Sequence, residues 1–197
     1  MLTRSRGFSL IELLVAVTLM TILLSLAMPA FTGWIRNAKV RSVAESLQNG
    51  VRLAQTEAVR RFRPMVFFLT DQKTCTGATT AADAGAFWAI RTIPLAAGEV
   101  SEAVKCGVLA DVAGGVQLAG PTAICFNANG RQAAIAAPGV GGPACTLAAA
   151  GINRYGITNP NVDAKVDHPL QVQVTLGGSV RLCDPARSYS ATTPDGC

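Results

Sequence analysis

Residues that carry chemistry are scarce in this chain. It holds a single histidine, His168, among 197 residues. Pro169 follows it in a loop-like stretch, where a lone histidine reads as a surface residue rather than a general base. No paired-histidine zinc motif, nucleophile elbow or Walker-type loop occurs, which excludes the best-marked protease, esterase and nucleotide-binding classes. Gly114-Gly115 and Gly141-Gly142 read as turns, not phosphate cradles. Asp71, Asp83 and Asp111 fall in separate loops, and nothing groups them into a metal site. None of the six cysteines forms a C-x-x-C, and their spacing does not suit zinc. There is no internal repeat. These absences leave a non-enzymatic protein with no metal, no cofactor and no small-molecule substrate.

What the chain does have is concentrated at its N-terminus. A short basic leader with Arg4 and Arg6 ends at Gly7. Phe8 follows, then a long apolar run that contains one carboxylate, Glu12. A carboxylate in lipid costs roughly 2.5–3.5 kcal/mol on the mildest scale, so Glu12 is a candidate functional residue. Leu13 to Ala30 carries no charge and as a helix spans about 27 Å, close to the hydrocarbon thickness. An ordinary secretory signal explains Arg4 and Arg6 but not Glu12. Its cleavage box would rest on Met28 and Ala30 with Pro29 between them, which is poor. The segment therefore reads as a retained single-pass anchor. The basic leader places the N-terminus in the cytoplasm and the rest beyond the membrane.

The run Gly7-Phe8-Ser9-Leu10-Ile11-Glu12-Leu13-Leu14 resembles the class III signal of type IV pilins and type II secretion pseudopilins. The resemblance implies that a prepilin peptidase cuts after Gly7 and that Phe8 becomes the N-methylated first residue. It also implies that Glu12 pairs with the N-terminal ammonium of a neighbouring subunit during assembly. The spacing suits this, since Glu12 stands about one helical turn from Phe8.

Beyond the anchor the helix continues. Pro29 is expected to kink it, and Trp34 to mark the membrane interface. Val40, Val43, Ala44, Leu47, Val51, Ala54 and Ala58 form a 3.6-period apolar stripe. Lys39, Arg41, Glu45, Gln48, Arg52 and Gln55 lie on other faces. Arg41–Glu45 and Glu57–Arg61 are i, i+4 pairs of opposite charge, worth a few tenths of a kcal/mol each. Gly50 weakens the helix by about 1 kcal/mol relative to Ala. Arg60, Arg61 and Arg63 suit its C-terminal end, and Pro64 stops it. The helix is expected from about Phe8 to Arg63.

After Pro64 the pattern turns to short strands: Met65–Leu69, Phe87–Ile93 with Trp88 in the core, and Ala123–Asn127. Asn129-Gly130 then signals a type I′ hairpin. Gln171–Leu176 alternates strictly, and Gly177-Gly178 turns it into Ser179–Cys183. Thr76–Ala86, Pro138–Gly151 and Tyr189–Gly196 read as loops.

This layout is α+β and pilin-like: a long helix, half transmembrane and half amphipathic, packed on an antiparallel β-sheet or sandwich. The expected division is leader 1–7, transmembrane and assembly helix 8–31, amphipathic helix 32–63 and periplasmic β domain 64–197. Within that class the chain resembles the GspH/FimT minor pilins and pseudopilins. The resembling runs are Leu53–Arg61, Ile124–Arg131 and Val180–Pro185. The resemblance implies a subunit of the bacterial inner membrane that passes into a pilus or pseudopilus fibre, with other pilins, prepilin peptidase and membrane lipid as partners. Some members of the family bind DNA through a C-terminal Gly-Arg-x-Arg loop. The matching residues here are Gly178-Ser179-Val180-Arg181, so one arginine is replaced by Ser179, while Arg181 remains and Arg187 is near.

Charge bears on that DNA reading. The chain is +5 overall. Met1–Arg63 holds nine Lys/Arg against three Asp/Glu, a net of +6, and the rest eight against nine, a net of −1. A patch of Arg131, Arg154, Arg181 and Arg187 is one reading of the β domain; scattered solvated arginines is the other, and the simpler.

Cys75, Cys106, Cys125, Cys145, Cys183 and Cys197 read as up to three disulfides in an oxidising compartment. Cys183–Cys197 is favoured because it would staple a loop-rich tail. Cys75–Cys106 and Cys125–Cys145 follow by neighbourhood, with Cys125–Cys183 as a rival.

Overall fold

The computed structural model of the protein describes residues 9–142, 144–160 and 167–197. The leader with Gly7, and Phe8 after it, lie outside the described residues. The chain forms two compact units, Met1–Arg36 and Asn37–Cys197. Helix α1, Leu10–Arg61, supplies residues to both.

In the first unit, Leu10–Met28 is long and apolar enough to cross a membrane, and none of it is buried within the protein. Pro29 lies inside α1 rather than at its end. Phe31 and Trp34 stack with ring centroids 6.1 Å apart, and both rings are exposed. Such a pair of aromatics at the end of an apolar span suits an interfacial position.

In the second unit α1 is amphipathic. Val40, Val43, Ala44, Leu47, Val51, Ala54 and Ala58 are all buried. The helix ends at Arg61, two residues earlier than expected. The Arg63 N–H donates to the Ala58 carbonyl (3.1 Å) and the Phe62 N–H to that of Val59 (3.3 Å), while Phe62 adopts a left-handed φ of 53°. This is a Schellman ending with phenylalanine where glycine is usual.

The β part has strands β1 (Met65–Thr70), β2 (Phe87–Thr92), β3 (Ala103–Val108), β4 (Gln117–Ala119), β5 (Ala123–Phe126), β6 (Gln132–Ala133), β7 (Ile152–Thr158), β8 (Leu170–Thr175) and β9 (Val180–Cys183). A one-turn helix α2, Ala110–Ala113, follows β3. Two antiparallel sheets result, one ordered β3-β2-β1-β5-β6 and the other β4-β7-β8-β9. The inner faces of both close on the buried stripe of α1. Phe67, Trp88, Ile90, Phe126, Tyr155, Ile157, Val172 and Val174 share that core with Leu47 and Val51.

A second, smaller core lies on the outer face of the first sheet. Val66, Phe68, Ala89 and Cys125 are covered there by Ala78, Val140 and Cys145 from two long loops. Disulfides Cys75–Cys106 and Cys125–Cys145 tie those loops down, and Cys183–Cys197 closes the tail. Both faces of β1 are thus buried, which is why Met65–Thr70 is a continuous apolar run instead of an alternating one.

The Asn129-Gly130 hairpin differs from expectation. β5 and β6 do pair, but through a longer connection in which only Gly130 has a positive φ. A type I′ turn needs two such residues. Here the Asn127 side chain accepts the N–H groups of Asn129 (3.0 Å) and Arg131 (3.1 Å) and sets the turn instead.

The polar face of α1 is not simply solvated. Arg52 donates to the Val180 carbonyl at 3.0 Å, and the Gln48 amide oxygen accepts the Leu182 N–H at 3.2 Å. These two side chains satisfy the outer edge of β9, which no further strand covers among the described residues.

Candidate functional site: the assembly segment and the C-terminal arginine cluster

Among the described residues the apolar half of α1 is preceded by Ser9. Its carbonyl accepts the N–H of Glu12 (3.1 Å) and of Leu13 (3.2 Å), so Ser9 caps α1 and Glu12 lies in the first turn. Ser9-x-x-Glu12 has the spacing of a capping box, a local signal for the start of a helix. A carboxylate there also meets the positive end of the helix dipole. Glu12 is exposed in an apolar surround of Leu10, Ile11, Leu13 and Leu14. Farther along, Thr18 and Ser25 donate to carbonyls one turn back, at 2.9 and 2.7 Å, so these hydroxyls are satisfied without water.

The C-terminal cluster lies on the second sheet. Arg154 faces Gln173 across β7 and β8, and Gln173 faces Arg181 across β8 and β9, which sets the three in one row. Arg181 is engaged by the tail. Its guanidinium donates to the carbonyls of Pro194 (3.0 Å) and Gly196, and lies 4.4 Å from the centre of the Tyr189 ring. Arg187 pairs with Asp195 at 2.7 Å and Asp184 at 3.6 Å. Arg131 stands apart in the β5–β6 connection, with an exposed side chain. The sequence supplied no pointer to Tyr189, Asp184 and Asp195 as partners of the arginines. The disulfide Cys183–Cys197 brings the tail back onto β9 and creates those contacts.

Gly178, the first residue of the Gly-Ser-Val-Arg run, has a geometric role. It has φ +91°, and a Cβ on it would stand 2.0 Å from the Gly130 carbonyl oxygen. Gln55 of α1 donates to that same carbonyl at 3.1 Å. The two turns therefore stack on the helix, and glycine is required where they touch.

An open cleft of about 390 Å³ is lined by Arg41, His168, Asp184, Arg187 and Asp195. The His168 N–H is held by the Asn37 side chain at 2.9 Å. Arg41 is paired with Glu45 at 2.7 Å, and Arg187 as above. The cleft's arginines already serve internal ion pairs, and its aspartates bind them. Among the described residues no three His, Cys, Asp or Glu side chains converge as a metal site.

These features define a class: a helical stem with an exposed apolar first half, a buried amphipathic second half, and a disulfide-stapled β domain. Residues 2–28 match the family described as the prokaryotic N-terminal methylation motif. The chain is also similar to the type IV minor pilin FimU of Pseudomonas aeruginosa strain PAO1 in two crystal forms. In the first, identity is 17% and TM-score 0.49, covering 77% of this chain and 96% of that one. In the second, identity is 16% and TM-score 0.47, covering 76% and 99%. No curated protein sequence matches the chain.

Proposed function

We propose that the protein is a minor structural subunit of a type IV pilus-type fibre. It is made as a prepilin, cut after Gly7, methylated on Phe8 and anchored in the bacterial inner membrane by its apolar span. The leader stays cytoplasmic and the β domain is periplasmic. On assembly, Glu12 meets the Phe8 ammonium of a neighbour, so that each charge offsets the other's desolvation. The carrying observation is the coincidence of two things. The methylation motif covers residues 2–28, and the same helix is exposed and apolar to Met28. Such a segment needs lipid or other helices around it.

The test is a pair of full-chain variants in the native cell. Glu12→Ala should insert and be processed but drop out of sheared fibres, whereas Gly7→Val should stay uncleaved. Normal incorporation of Glu12→Ala, or cleavage of Gly7→Val, counts against the reading. Loss of protein export without loss of pili in a deletion strain would make the fibre a secretion pseudopilus.

The structural role is favoured over DNA uptake because Arg181 and Arg187 are taken up by the tail. A phosphate at Arg181 would compete with the Pro194 and Gly196 carbonyls, and one at Arg187 with the carboxylates of Asp195 and Asp184. Salt-sensitive DNA binding that disappears in Arg181→Ala would reverse this preference.

A further inference from the structure

We propose that the outer face of the second sheet binds a carboxylate-bearing polysaccharide. Arg154 takes the carboxylate, Gln171 and Gln173 take hydroxyls, and the Tyr189 ring takes the face of one sugar. The site goes beyond the fibre-subunit reading and does not rest on it.

Strand pairing groups these residues. The inward positions of the sheet, among them Tyr155, Ile157, Val172 and Val174, are buried in the main core. Alternate positions point the other way. Arg154, Gln173 and Arg181 stand opposite one another on β7, β8 and β9, with Gly156 and Gln171 paired in the next row. The smaller core covers the outer face of the first sheet, and among the described residues no apolar cluster lies on the outer face of the second. A Cβ on Gly156, in the middle of that face, would meet nothing nearer than the Ala119 carbonyl oxygen at 3.9 Å.

Charge narrows the ligand. The four strands of this sheet hold two arginines and no carboxylate. The tail carboxylates Asp184 and Asp195 pair with Arg187 instead. Arg154 is exposed, and its hydrogen bond, from Nη1 to the Ile152 carbonyl, is 3.4 Å long. Its Nε and Nη2 edge is thus open to take a carboxylate through two parallel bonds.

Hydroxyl chemistry separates a glycan from a nucleic acid. Gln173 Nε2 donates to Gln171 Oε1 at 2.9 Å. The pair therefore presents an acceptor at Gln173 and donors at Gln171. A sugar hydroxyl both donates and accepts, whereas a phosphodiester backbone offers acceptors alone and leaves the Gln173 oxygen unpaired. A nucleic-acid strand also carries one charge per about 3.4 Å, far denser than one open arginine fork can match. At the end of the row the Arg181 guanidinium, held by the Pro194 and Gly196 carbonyls, lies 4.4 Å from the centre of the Tyr189 ring. Tyr189 is 63% exposed, so the guanidinium backs an open aromatic platform suited to the C–H face of a pyranose.

The test runs the full chain, in non-ionic detergent, through native gels containing polygalacturonate, with dextran as the neutral control. The wild type should be retarded by polygalacturonate and not by dextran. Arg154→Ala should weaken the apparent affinity about tenfold, the loss of a charged hydrogen-bonding fork, and Arg154→Lys should recover only part of it. Arg131→Ala, which removes the same charge from an exposed position off this face, should leave binding unchanged. Tyr189→Ala should lower affinity and Tyr189→Phe should not. The Arg154 side chain is exposed, so its variants should keep the wild-type melting temperature. No retardation of the wild type, equal retardation by dextran, or equal losses in Arg154→Ala and Arg131→Ala overturns the site. Tighter binding of DNA than of polygalacturonate also overturns it, in favour of a nucleic-acid surface.

Discussion

The Trp88 indole lies against the bare backbone of Gly50: a Cβ on Gly50 would stand 2.9 Å from Trp88 Cε2. A Cβ on the cross-strand neighbour Gly107 would stand 2.3 Å from Trp88 Cζ2. The indole fills the space two missing side chains leave, and its Nε1–H reaches Ser46 Oγ at 3.4 Å.

Gly50→Ala should therefore destabilise the protein, although glycine-to-alanine inside a helix ordinarily stabilises. The propensity gain of about 1 kcal/mol is outweighed by overpacking against Trp88 and Phe67, for a net loss of about 1–2 kcal/mol. Thermal unfolding of the variant gives the sign directly, and a higher melting temperature would show that the rings can yield.

Tyr155→Phe should be neutral or stabilising by up to about 1 kcal/mol. The Tyr155 hydroxyl is fully buried and has no hydrogen-bond partner, and burial pushes its pKa far up. The ring is what matters, meeting Phe67 edge-on with centroids 6.5 Å apart. Clear destabilisation would reveal a water or group bound at that oxygen.

Arg91→Ala should cost about 2–4 kcal/mol. Arg91 is buried, and its guanidinium donates to the Ser101 hydroxyl (3.1 Å), the Ser101 carbonyl and the Ala78 carbonyl (3.2 Å). Its loss strands those acceptors beneath the loops of the smaller core. Denaturant unfolding of the two proteins compares them, and a change under 1 kcal/mol, to be set against about 2, would show the loops anchored elsewhere.

Acid should weaken the C-terminal end of α1. The Glu57 carboxyl is held below its ordinary value of 4.5 by hydrogen bonds from Arg60, then Arg61. Glu99 is held below 4.5 by the Leu95 N–H, then Arg63. A carboxyl with a depressed folded pKa adds stability above its unfolded value and loses it as pH falls through the folded one. The melting temperature should fall from these groups only below pH 4.5, the ordinary value. Glu57→Gln with Glu99→Gln should flatten that acid limb; an unchanged limb would place the acid-sensitive groups elsewhere.

Cys183→Ser with Cys197→Ser should free the tail and lower stability by about 3 kcal/mol on chain-entropy grounds. Proteolysis between Arg187 and Asp195 should become faster. If the tail stays protected, the Arg181 contacts suffice to hold it.

The helix and its buried face were legible because a 3.6-residue period survives when both sheets close on one stripe. Met65–Leu69 was legible as an unbroken apolar run. Strand β7 was not, because its inward positions are Asn153, Tyr155 and Ile157, and a buried asparagine breaks the alternation. Asn153 is tolerated because it donates to the Gln132 side chain (2.7 Å), 21 residues away, and to the Thr146 carbonyl (3.1 Å) in the preceding loop. Strand β3 was not legible either, because Lys105 and Gly107 interrupt its apolar residues and it has no buried position. At the N-terminus the signal is local, so Gly7, Phe8 and Glu12 stand out in one line of sequence. The fate of Arg181 depends on a tail folded back through a disulfide, which no local pattern reveals.

The contacts of Arg52 and Gln48 with β9 have a practical consequence. In closing that edge, the helix takes the place of a missing strand, as well as filling the core. A fragment begun beyond Ala58 would carry an unsatisfied strand edge beside two uncovered apolar sheet faces, which is the recipe for edge-to-edge aggregation. The boundary of any soluble version of this protein is thus set by the helix, at or before Val40, and not by the first strand.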